Sequence, residues 1–193
     1  MTMAECCSAD CYFVSSISTV ILTFKNTLRF ICSETYIYNG EAYGVPKDVV
    51  DVVVADGVTN IPARAFKGDV LEDVVDVVVA DGVTNIFDMA FMDHKSLVTI
   101  NLPQSLTTIS QYAFLRCKSL KKINFPPFLT TIGNCAFRNC KSLKKINFPP
   151  SLTTIGNEAF SLCESLERVD LPTSITSIGD NVFWTPRYIR KRI

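Results

Sequence analysis

The amino-acid sequence predicts a repeat solenoid: mainly β-structure with short helical turns, parallel strands on one face and about six stacked coils. Two observations carry this expectation. Phenylalanine recurs at Phe66, Phe91, Phe114, Phe137, Phe160 and Phe183, in one step of 25 residues and four of 23, and an isoleucine precedes each by five places, from Ile61 to Ile178. The wording itself also returns. KKINFPPFLTTIGNCAF at 121–137 recurs as KKINFPPSLTTIGNEAF at 144–160 with only Phe128 and Cys135 changed, and DVVDVVVADGVTNI at 48–61 recurs at 73–86. A period in the twenties marks a unit too small to bury its own core, which acquires one only by stacking on its neighbours.

Taken in order, residues 1–47 read as an N-terminal capping segment, 48–184 as the solenoid and 185–193 as a basic C-terminal tail. Within the cap, Tyr36-Ile37-Tyr38 and Glu41-Ala42-Tyr43 flank Asn39-Gly40, the pattern of a hairpin. The apolar stretch from Tyr12 to Phe24 is too short and too rich in Ser and Thr to span a bilayer. It follows Glu5 and Asp10 without a preceding Lys or Arg, so it makes no convincing signal peptide.

A single coil can be read from the best-preserved copies. Leu120, Ile123 and Phe125 point inward from a short strand, and Pro126-Pro127 ends it because proline cannot donate to a ladder. Phe128 to Ile132 forms a second extended piece with β-branched Thr130, Thr131 and Ile132. Gly133, repeated as Gly156 and Gly179, falls where the chain must turn, and Ala136-Phe137 opens a helical turn or tight corner.

The pattern LPxSLTTIxxxAFxxCxSLxxI, present as Leu102-Pro103-Gln104-Ser105-Leu106 through Ala113-Phe114, Cys117 and Ser119-Leu120, resembles the BspA-like leucine-rich repeats of the Treponema pallidum type. The likeness covers about 49–183 and weakens in the valine-rich coils, where Asp56-Gly57 and Asp81-Gly82 replace the proline bend. It implies a curved, right-handed, leucine-rich-repeat-like solenoid that binds proteins or surfaces at cell exteriors, with no enzymatic activity and no catalytic residues.

Outward strand positions form columns on the open face: Val50, Val75, Val98, Lys121, Lys144, Glu167; then Asp51, Asp76, Thr99, Lys122, Lys145, Arg168; then Val53, Val78, Asn101, Asn124, Asn147, Asp170. The early coils thus present Val50, Val53, Val75, Val78 and Val98, an apolar surface that either meets a partner or is covered within the chain. The later coils present Lys121, Lys122, Lys144, Lys145 and Arg168, either a solvated face or a seat for an anionic ligand such as an acidic glycan. The column Asn101, Asn124, Asn147 reads as a hydrogen-bonded amide ladder.

Charge is polarised along the chain. Residues 1–93 carry 5 Lys and Arg against 14 Asp and Glu, and residues 94–193 carry 14 against 5. Opposite ends and exposed valines leave self-association open. Nucleic acid fits poorly, since no aromatics interleave with the lysines and the whole chain is neutral. His94, Cys117, Cys140 and Cys163 share another column, three places after each Phe. Stacked in a line, with no CxxC pair, they suit a buried corner better than a metal or a nucleophile, and no cofactor is expected.

The function expected is therefore a non-enzymatic protein-binding scaffold, with adhesion or anionic-ligand binding through the lysine face as the alternative. Eight cysteines without a pairing logic lean towards a reducing compartment, whereas the resemblance points to a cell surface.

Overall fold

The structure, a computed structural model, describes residues 35–38, 51–67, 74–167 and 169–185. Strands β1 (Thr35–Tyr38), β2 (Asp51–Val54), β4 (Asp76–Val79), β6 (Thr99–Asn101) and β8 (Lys122–Ile123) form one parallel sheet in the order β1-β2-β4-β6-β8. The two-residue strands β3 (Asn60–Ile61), β5 (Asn85–Ile86), β7 (Thr108–Ile109), β9 (Thr131–Ile132), β10 (Thr154–Ile155) and β11 (Ser177–Ile178) form a second parallel sheet, ordered as in the chain. Each described coil adds one rung to the second sheet, as the repeat predicts, and the coils up to β8 add one to the first as well. β1 pairs in parallel with β2, and the return arm of the hairpin expected at Asn39-Gly40 lies outside the described residues.

The repeat residues become columns because each rung sits one strand spacing above the last. Phe91, Phe114, Phe137 and Phe160 stack with ring centroids 5.0–5.1 Å apart and planes within 3–5° of parallel. All four are fully buried, as are Ile86, Ile109 and Ile132. Phe125 and Phe148 stand edge-on to Phe137 and Phe160 at 5.6 Å, filling the width of the coil. At about 1.5–3 kcal/mol for each buried large apolar side chain, these columns are the main source of stability. The inward positions of the last described coil are the exception. Leu171 and Ile178 are 45% and 50% exposed.

Where short helical turns are expected at each Phe, the described residues contain no helix. The residues two before each Phe, from Arg64 to Asn181, have φ of 53–62°, and Asp93, Arg116, Asn139 and Leu162, two after, have φ of 61–63°. Such left-handed residues cost about 1–2 kcal/mol each. Their conformation aims alternate N–H groups along the solenoid axis instead of back along the chain. Tyr112, Phe114 and Arg116 thus donate to the carbonyls of Asn134, Ala136 and Arg138 in the next coil at 2.7–2.9 Å. A helix would have spent these donors within one coil, leaving the corners unjoined.

The repeated glycine also answers to stacking. Among the described glycines only Gly57 and Gly82 have positive φ; Gly133, Gly156 and Gly179 do not, so conformational freedom is not what these three supply. A Cβ on Gly156 would lie 2.5 Å from the backbone nitrogen of Asn134 and 2.7 Å from the carbonyl carbon of Gly133. Successive coils touch backbone to backbone here, and Gly156→Ala forces them apart. The expected loss is about 1–3 kcal/mol, read as a lower urea midpoint with an unchanged m-value.

Candidate functional site

The open face of the first sheet is built by alternation. Val52, Val54, Val77, Val79, Ile100 and Ile123 point inward and are buried, which turns the residues between them outward. Register then aligns them across coils: Asp76 beside Thr99, Thr99 beside Lys122, and Val53 beside Val78 beside Asn101. Thr99 donates its hydroxyl to the Asp76 carboxylate, which satisfies the acid at this point of the column.

Of the outward valines, Val53, Val75, Val78 and Val98 are half-buried, so the apolar patch is narrower than its residue types suggest. Val98 and Val75 are neighbours, their backbones bonded at 2.8 Å. Val50 and Arg168 lie outside the described residues.

The lysines come together as the columns require. Lys121, Lys122, Asn124, Lys144, Lys145 and Asn147 line a shallow groove of about 400 Å³, and all six are exposed. Lys122 and Lys145 face each other across an isolated parallel bridge. Lys145 has a distant counter-charge, with Nζ 3.8 Å from a Glu167 carboxylate oxygen. Lys121, Lys122 and Lys144 have none within salt-bridge distance among the described residues.

The amide ladder expected at Asn101, Asn124 and Asn147 does not form: all three are exposed, and no side-chain hydrogen bond joins them. An asparagine contact of that kind occurs on the other sheet, where Asn85 Nδ2 donates to Asn60 Oδ1 at 2.9 Å. The difference is geometric. Asn85 and Asn60 are paired strand residues one rung apart, whereas Asn124 and Asn147 follow the last paired positions of their coils.

The His94, Cys117, Cys140 and Cys163 column is buried throughout. Each thiol donates to a phenylalanine carbonyl one coil back, Cys117 to Phe91 at 3.1 Å, Cys140 to Phe114 and Cys163 to Phe137 at 3.2 Å. Burial raises all three thiol pKa values, that of Cys163 to about 12, so they stay protonated. Among the described residues no group of three His, Cys, Asp or Glu is placed to hold a metal. No described helix is long and apolar enough to cross a membrane.

A stack of short parallel rungs with Leu, Ile and Phe columns, tight turns and an open polar face is a leucine-rich repeat protein. Residues 59–190 match the BspA-type leucine-rich repeat region in six copies, and the chain belongs to that family. Among solved structures it is similar to the leucine-rich repeat protein of T. pallidum, at 28% identity and a TM-score of 0.58, over 74% of this chain and 82% of that one. It is also similar to a leucine-rich cell surface protein of Faecalibacterium prausnitzii, at 29% identity and a TM-score of 0.61. There the likeness covers 70% of this chain and spans 36% of the other. No curated protein matches.

His94 is the one polar member of its column, fully buried with neither ring nitrogen hydrogen-bonded. Burial lowers its pKa from 6.5 to about 4. The unfolded chain therefore takes up a proton below about 6.5 while the folded chain does not until about 4. Stability from this group is complete above the higher value and falls by ~3 kcal/mol as the pH drops through the window. Urea titrations of wild type and His94→Cys at pH 7 and pH 4.5 check this. The wild type is expected to lose more stability between the two, and the variant to show a flatter profile.

Proposed function

We propose that this protein is a non-enzymatic binding module that recognises another protein through the outward face of its first sheet. One observation carries the reading: on that face the alternating positions are excluded from the core yet held in strict columns, so side chains as different as Val78, Asn101 and Lys122 share one surface. The second sheet is a poorer candidate. The threonines that lead into its strands, Thr107, Thr130, Thr153 and Thr176, are engaged with the backbone, each donating a hydroxyl to the carbonyl one coil back at 3.1–3.3 Å.

Membership of a repeat family whose relatives include a cell surface protein supports a binding role at an exterior surface. The buried, protonated thiols are compatible with export, because they react slowly whatever the compartment's redox poise.

A photo-crosslinking amino acid placed in turn at Val78, Asn101 and Lys122, and at Thr108 and Thr131 as the comparison face, tests the assignment. Crosslinks to a second protein are expected from the first three positions. Crosslinks confined to Thr108 and Thr131 would move the recognition face to the other sheet.

A further inference from the structure

Pairing in the first sheet shortens along the chain towards the lysines. β2 and β4 pair over four residues, β4 and β6 over three, β6 and β8 over two, and the next coil is joined by the Lys122–Lys145 bridge and by the Lys144 N–H bonded to the Lys121 carbonyl at 3.3 Å. Proline ends the strands of these coils, singly at Pro103 and doubled at Pro126-Pro127 and Pro149-Pro150. The coils do not separate, because on the opposite sheet Thr131 still pairs with Thr154, and Thr154 with Ser177. Charge changes along the same coils. Val98 and Thr99 give way to Lys121 and Lys122, then to Lys144 and Lys145, and like charges directly opposite one another destabilise a ladder.

We infer that the lysine groove seats an acidic stretch of a partner polypeptide, laid across successive coils with its carboxylates between the lysine pairs, and that this contact relieves the repulsion between them. The inference rests on the reading of the first sheet as the recognition face and names the chemistry of the partner. The chain supplies its own precedents: Glu164 pairs with Lys141 at 2.8 Å, and Glu167, one coil beyond Lys144, approaches Lys145. Lysine ammonium groups act as point charges suited to single carboxylates, whereas bidentate phosphate recognition favours arginine. The exposed amides of Asn124 and Asn147 offer both donor and acceptor to a peptide backbone. No aromatic side chain lines the groove, so it has no platform on which bases could stack.

The test uses the full chain and a variant with Lys121, Lys122, Lys144 and Lys145 all changed to Gln, probed with an oligoglutamate peptide, a sulfated glycan and single-stranded DNA. Oligoglutamate is expected to raise the thermal midpoint of the wild type at low salt, and to bind the variant roughly tenfold more weakly or worse. Without ligand, the variant is expected to unfold at a higher temperature than the wild type, since the repulsion is gone. An unchanged oligoglutamate affinity in the variant, or stabilisation by the glycan or the DNA but not by the peptide, overturns the inference. Concentration-dependent dimerisation abolished by the same substitutions overturns it too, and places a second copy in the groove. If the crosslinks at Val78 and Asn101 persist in the variant while oligoglutamate fails with the wild type, the acidic partner is wrong and the recognition face stands.

Discussion

The separation of successive rungs governs everything else in this molecule. Parallel backbone pairing sets strands about 4.8 Å apart, and the Phe rings follow at 5.0–5.1 Å, a distance at which parallel rings stack. Every side chain therefore meets its own counterpart one coil away. For Phe, Ile and Leu the consequence is a continuous apolar core built from units that have none alone. For lysine it is enforced repulsion. One geometric rule thus produces both the most stable part of the solenoid and its most polarised surface.

The same rule explains how polar groups survive inside so narrow a fold. Left-handed residues flanking each Phe turn corner N–H groups towards the following coil, and cysteine thiols return a bond to the preceding one. Stacked coils are thus tied in both directions, and the cysteines act as small hydrogen-bonding fillers. His94 occupies the same column without an equivalent bond, so it is held neutral by burial alone. Its imidazole is a local cost that the surrounding columns offset.

Much of this architecture was legible in the sequence, because period and burial are the same signal in a solenoid. Phe66 to Phe183, Ile61 to Ile178 and the inward Leu and Val positions needed only counting, and register made the outward lysines adjacent. What escaped were features whose cause lies between coils. Gly156 looks like a turn residue until the backbone of Asn134 is placed against it. The corner around Ala136-Phe137 looks helical because a short run carries no sign of which coil its N–H groups will serve. Asn124 looks like a ladder residue because its column is regular, but pairing has ended one residue earlier, at Ile123. The half-burial of the valines likewise depends on neighbouring rungs, not on residue type.

Near-identity of neighbouring coils has a kinetic side. A chain that docks 144–160 where 121–137 belongs keeps every apolar column in place and ejects one period as a loop. Such a misaligned form differs from the native one at few positions. Ser151 donates its hydroxyl to the Leu129 carbonyl at 2.7 Å, a bond that its counterpart Phe128, 64% exposed, cannot make. The sparse differences between copies are therefore what lets the nascent chain tell one rung from the next.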